Sequence, residues 1–140
     1  MASEISIRPC GVDDIPSILQ LWIDADAVPG PTDDAAAIKI RLQRNNELLV
    51  LATDGPRVIG VLLGGWNGWR GDMARMAVHP DYRRRGIARR LVSEVEDRLR
   101  DLGCSRITSL VYVYEEGAPD LWTNSGYEPD TAIGCYYKDI

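Results

Sequence analysis

Three arginines, a glycine and an alanine stand together in the run His79-Pro80-Asp81-Tyr82-Arg83-Arg84-Arg85-Gly86-Ile87-Ala88-Arg89-Arg90-Leu91. Apolar Met76-Ala77-Val78 precede it, and an amphipathic helical pattern follows. That order predicts a strand, a tight loop and a helix N-terminus. A helix start leaves backbone N–H groups unpaired and carries a partial positive charge, so it holds anionic oxygens. Gly86 and Ala88 keep bulk away from the backbone, and the arginines add charge and forked donors. The chemistry these residues could do is to grip a phosphate. A solvated basic turn is the plainer reading, but glycine, alanine, helix onset and charge coincide here.

Two other phosphate loops are absent. The chain has no G-x-x-x-x-G-K-[ST], and no G-x-G-x-x-G follows a strand. Arg83-x-x-Gly86-x-Ala88 instead resembles the R/Q-x-x-G-x-G/A motif of the GNAT (GCN5-related N-acetyltransferase) superfamily. Met76-Ala77-Val78-His79-Pro80 resembles the strand before that loop. Leu121-Trp122-Thr123-Asn124-Ser125-Gly126-Tyr127 resembles the family's "LYExxGF" segment. The likeness runs from Ile5 to the last residues and is greatest to small bacterial acetyltransferases.

The resemblance implies an N-acetyltransferase that moves an acetyl group from acetyl-CoA to a primary amine, of a small molecule or of a peptide or protein, by direct attack in a ternary complex. It implies pyrophosphate on the backbone from Arg84 to Arg89, with Arg83, Arg84, Arg85, Gly86, Ile87, Ala88 and Arg89 forming the loop. Pantetheine would lie along Met76 and Val78, and a backbone N–H at Ala77 or Val78 would meet the thioester carbonyl. The family's bulge would splay this strand from a parallel neighbour around Leu110–Val113.

Three tasks remain for such a reaction: taking the amine proton, stabilising the oxyanion and protonating the thiolate. Asp72, near the start of the strand, is the candidate base; a solvated hairpin carboxylate is the alternative. Trp122 stands where the family carries a tyrosine that serves the thiolate, and an indole is no acid at neutral pH. It is expected beside the cofactor as a packing residue. Glu115 replaces a frequent asparagine. Tyr112, Tyr114, Tyr136 and Tyr137 are substitute donors, and Glu115 and Glu116 could guide an amine into the cleft. These departures support a rival reading, a non-catalytic acyl-CoA binding or sensing module. Trp22, the loop Asp24–Asp34, Trp66 and Trp69 could line the acceptor side, or serve as core and as a homodimer contact. His79, the sole histidine, fits a structural turn, and no metal site is expected.

The elements that must position these residues follow from periodicity. Ile5-Ser6-Ile7 alternates as a short strand. Ile15, Ile18, Leu19 and Trp22 recur at helical spacing after Asp13 and Asp14. Thr32 or Asp33 is placed to cap a second helix through Ala35 to Leu42. Leu48–Ala52, Arg57–Leu63 and Met73–Val78 read as an antiparallel meander. Ile87, Leu91, Val92, Val95, Leu99 and Leu102 form one helix face, ended at Gly103. A strand over Ile107–Val113, a short helix opened by Pro119 and a final strand from about Ala132 to Lys138 complete the order. The fold class expected is mixed α/β (α+β): a GNAT-like acyl-CoA N-acyltransferase fold with a central, mostly antiparallel sheet flanked by helices.

The 140 residues suffice for one domain, 1–140, without staples. The net charge of −5 conceals a basic island of nine arginines against five acids between Arg70 and Arg100. An island in an acidic protein suggests a local anionic ligand rather than a nucleic acid. Cys10, Cys104 and Cys135 read as reduced thiols. No export signal or membrane-length apolar run is visible, so the expected location is cytoplasmic, without nucleic-acid or membrane partners.

Overall fold

Continuous apolar runs with no polar alternation demand cover on both faces of a sheet. Leu49–Asp54 (β2) and Arg57–Trp66 (β3) are such runs, and they occupy the middle of a five-stranded sheet. The computed structural model describes residues 4–140. The chain divides into two compact units, one ending at Leu110 and one spanning Val111–Ile140.

In the first unit the strands lie side by side in chain order. Ile5–Pro9 (β1) pairs antiparallel with β2, β2 with β3, and β3 with Gly71–Val78 (β4). Ile107–Ser109 (β5) pairs parallel with β4. Ile15–Asp24 (α1) and Ala35–Arg41 (α2) cover one face. Their Ile15, Ile18, Leu21, Trp22 and Ile38 share a core with Leu49, Leu51, Val61 and Ala77. Ile87–Asp101 (α3) connects β4 to β5 and buries Ile87, Leu91, Val92, Val95 and Leu99. A Cβ on Gly71 would lie 2.9 Å from the Cys104 sulfur and 3.0 Å from a Leu99 methyl, so a larger residue would push these side chains aside at the end of α3. Packed in this way, α3 presents its N-terminus at the end of β4.

The second unit carries one regular element, Ala118–Asn124 (α4), with Pro119 in its first turn and Gly126 at φ +90° after its end. The final strand expected over Ala132–Lys138 is not formed. Nor does β5 extend to Val113; it ends at Ser109. A strand is made by its partner, not by its residues, and the unit Val111–Ile140 holds no strand to pair with. Asp34, not Thr32 or Asp33, caps α2 by accepting the Ala37 N–H at 2.8 Å. β2 begins at Leu49, because Leu48 closes a 3-10 turn. Among the described residues no helix is long and apolar enough to cross a membrane.

Candidate functional site

The site is built on the second half of β4. Val61 stands opposite Ala77 and Leu63 opposite Ala74, so Leu62 alone faces two residues, Arg75 and Met76. This is a β-bulge, and its first residue, Arg75, sits in the left-handed region at φ +59°. Such a conformation costs a non-glycine residue about 1–2 kcal/mol. Bulges re-aim a strand and end its pairing on one side. Here β4 keeps its β5 partner only from Gly71 to Met73, with one further bond from the Leu110 N–H to the Met73 carbonyl. Within this unit no strand pairs with the β5-side edge of Ala74–Val78. The expected parallel neighbour at Leu110–Val113 is thus corrected to Ile107–Ser109.

On the other side the ladder resumes, and the His79 N–H donates to the Ile59 carbonyl at 2.8 Å. Alternation along an antiparallel pair turns the Ala77 N–H toward Val61. It turns the N–H group of Val78 outward, while Met76 lies in the bulge itself. Of the two donors expected at the thioester, Val78 has the free direction and Ala77 the buried one.

Past β4 the chain makes a 3-10 turn over Pro80–Tyr82 and then the arginine loop. Arg84 has φ +64° and Gly86 φ +73°, which curls the backbone immediately before α3. A Cβ on Gly86 would meet nothing within 4 Å, so the space above the loop is open. The first helical bond is Arg90 N–H to the Gly86 carbonyl. Among the described residues, the N–H groups of Arg84, Arg85, Gly86, Ile87 and Ala88 have no protein acceptor. This cluster, at a 15-residue helix N-terminus, is an anion cradle.

The arginines differ in what they touch. Arg83 donates to the Ala25 carbonyl at 3.2 Å, and Arg90 to the Ile5 carbonyl at 3.1 Å. Arg85 lies over the Tyr82 ring, 5.0 Å from its centroid. The Tyr82 hydroxyl donates to Asp54, and that bond raises its pKa and keeps the phenol protonated. The exposed guanidinium of Arg84 adds charge at the cradle.

Other expected residues fall elsewhere. Asp72 is exposed on the β4 segment opposite Gly65, with the Arg41 charge nearby. At about 3.3 Å per residue it lies roughly 13 Å along the strand from Met76 and further from Val78. The structure therefore does not bring Asp72 into direct reach of Ala77 and Val78. His79 serves its turn: Nδ1 accepts the Asp81 N–H at 3.2 Å, and Arg57 lies 3.1 Å from Nε2. Trp22 is core, 5% exposed, whereas Trp69 is 70% exposed and stacked with Arg70. In the second unit Trp122 is buried and meets Tyr127 edge-on, 5.1 Å between centroids. Tyr112, Tyr114, Tyr136 and Tyr137 are exposed. The Cys10 thiol is pushed up to about 11, first by burial and then by the Asp14 charge, which leaves it inert at neutral pH.

Arg75 is the residue the sequence reading missed. Its guanidinium donates to the Val28 carbonyl at 2.8 Å and pairs with Asp33, and its carbon lies 4.7 Å from the centre of the Trp22 ring. The Trp22 indole N–H in turn donates to the Arg75 carbonyl at 3.3 Å. The available signal was an arginine inside the otherwise apolar run Met73–Val78.

The chain is similar to known acetyltransferases. A sequence profile described as the Acetyltransferase (GNAT) family matches residues 15–127. An acetyltransferase of Sodalis glossinidius is 30% identical over 129 residues, covering 92% of this chain and 91% of that protein. Among solved structures, Ard1 from Thermoplasma volcanium superposes with a TM-score of 0.78 at 18% identity, over 87% of this chain and 81% of that one. The aminoglycoside N-acetyltransferase AAC(6')-Iy, in complex with CoA, gives 0.75 at 19% identity over 100% and 98%.

Proposed function

The chain belongs to the GNAT family of acetyltransferases, and on that basis we propose that it transfers an acetyl group from acetyl-CoA to a primary amine by direct attack within a ternary complex. The observation that carries this reading is the bulge at Arg75 beside the open Gly86 cradle. A bulged strand with outward donors, ending one turn before an anion cradle, suits a ligand with an amide-bearing arm and a pyrophosphate. The N–H groups of Arg84 to Ala88 hold the pyrophosphate, with charge from Arg84, Arg85 and Arg89. Met76 and Val78 hold the arm by strand-like hydrogen bonds. The outward N–H nearest the thioester carbonyl stabilises the oxyanion as the amine attacks.

The nitrogen lone pair forms the new C–N bond, and the C–S bond breaks as the tetrahedral intermediate collapses. Asp72 lies too far from Val78 to take the amine proton, which leaves to water, and its charge favours a cationic acceptor electrostatically. Trp122 supplies no proton; water protonates the thiolate. Holding both substrates in place supplies much of the rate. Both units act together as one acetyltransferase domain, a reading supported by the span of the matched profile, 15–127.

The acceptor class is an amine of a small molecule or of a polypeptide. A screen over polyamines, amino acids, aminoglycosides and N-terminal peptides, followed by thiol release, tests the reading. Amine-dependent thiol release supports transfer. Acetyl-CoA binding without thiol release for any amine would instead favour the acyl-CoA sensing module.

A further inference from the structure

We infer that Arg75 is a positioning residue for the acceptor: it ties the α1–α2 loop to the bulge, so that one residue sets both the cofactor edge and the wall the amine meets. This rests on the proposed acetyl transfer along β4.

The tie has three parts, all converging from one side chain. The guanidinium donates to the Val28 carbonyl at 2.8 Å, pairs with the Asp33 carboxylate, and has its carbon over the Trp22 ring, 4.7 Å from the centre. Asp33 also accepts the Gly30 N–H at 2.7 Å, so the same carboxylate fixes the turn inside the loop. Both ends of the loop segment Val28–Asp33 are therefore held from β4. Arginine suits this task where lysine does not. A planar fork reaches two acceptors and stacks on an aromatic ring, whereas an ammonium is a single point of charge.

Stability alone is a poor reason for arginine at this position. A bulge residue in the left-handed region is ordinarily glycine, yet Arg75 takes φ +59°. Its Nε is buried and has no hydrogen-bond partner. Two unfavourable features thus fall on one residue, in the bulge of β4, three residues before the outward-facing Val78. Local rules broken together in this way mark a functional requirement. The Arg83 bond to the Ala25 carbonyl adds a second anchor, from the phosphate loop to the residue that ends α1, three residues before this segment.

Arg75→Gly separates the tie from the bulge, because glycine accepts the positive φ while removing the guanidinium. Arg75→Lys keeps the charge and loses the fork. The full chain carrying each change is assayed with spermidine, with a hexapeptide bearing a free α-amine, and with any amine that the wild-type protein acetylates. Acetyl-CoA affinity is measured by calorimetry, and amide exchange is followed over Val28–Asp33. The expected result for Arg75→Gly is an acceptor KM at least tenfold higher, kcat within threefold, and acetyl-CoA Kd within twofold. Exchange over Val28–Asp33 is expected to be at least tenfold faster. Arg75→Lys should recover less than half of the KM change on a logarithmic scale. An unchanged acceptor KM overturns the inference, as does a parallel loss of kcat, cofactor affinity and thermal stability. A wild-type protein that acetylates no amine overturns the proposed function, and this inference with it; wild-type turnover with an unaltered KM in Arg75→Gly overturns this inference alone.

Discussion

The two halves of β4 use one backbone in opposite ways. From Gly71 to Met73 the strand is paired on both sides, to β3 and to β5, and packed beneath Leu99. From Arg75 to Val78 it is bulged, turned through a left-handed residue, and, among the described strands of its unit, paired on the β3 side only. In the closed half every donor serves the fold. In the open half Val78 keeps a donor directed away from β3. The contrast teaches that a sheet gains a binding edge when one residue interrupts its register, without any special side chain at the edge itself.

Glycines on the two sides of this boundary give the sharpest test. Gly86→Val adds bulk and a strained backbone at the open end, where nothing else would clash. Losing one or two charge-assisted bonds to phosphate costs about 3 kcal/mol, roughly a hundredfold in acetyl-CoA affinity. Calorimetry on the folded variant should show that loss, with only a modest fall in thermal midpoint. Gly71→Ala at the closed end should reverse the pattern. Overpacking against Leu99 and Cys104 costs roughly 2 kcal/mol of stability. Affinity per folded molecule should stay within twofold.

Much of this boundary was legible in the chain. The run Arg83–Ala88 carries its own turn and helix chemistry, and the face Ile87–Leu99 has unbroken helical spacing. Resemblance placed a bulge on the strand before the loop, but its position at Arg75–Met76 depends on the register against Leu62, which no local pattern encodes. Ile107–Val113 and Ala132–Lys138 misled for the same reason. Both read as strands by composition, yet pairing stops at Ser109 and never starts in the second unit. The Arg75 clamp was hidden because Val28 and Asp33 are more than 40 residues away in sequence. Sole donors and acceptors met across such a distance leave no periodic trace.

Asp72 lies on the closed half and tests how far the chemistry extends along the strand. Asp72→Asn should lower kcat/KM for a cationic acceptor about fivefold, near 1 kcal/mol, with acetyl-CoA affinity within twofold. A full loss of turnover would place the reacting atoms closer to Gly71 than the bulge allows.

The scaffold far from β4 should respond in stability alone. Arg8 donates to both Asp14 oxygens at 2.7 and 2.8 Å, which holds the Asp14 carboxyl below its ordinary pKa. Arg8 is substantially exposed, so Asp14→Asn should cost only about 1 kcal/mol near neutral pH. A depressed carboxylate stabilises the fold above its unfolded pKa and ceases to do so as pH falls through the folded value. The difference between wild type and variant should therefore shrink in acid, as chemical denaturation at stepped pH would show. Smallest of all is the expected effect at Trp122, whose ring packs on Tyr127. Trp122→Phe should keep turnover within about threefold; a large loss with affinity and stability intact would assign the indole a catalytic role.

The most direct measurement is amide hydrogen exchange along β4 and its loop, with and without acetyl-CoA. Met76, Val78 and the residues Arg84 to Ala88 should become strongly protected when acetyl-CoA is added, because they would then donate to it. Gly71 to Met73, already bonded on both sides, should not change. Protection confined to Gly71–Met73, or none at Met76, Val78 and Arg84–Ala88 under saturating acetyl-CoA, would contradict the assignment of the open half of β4 as the cofactor edge.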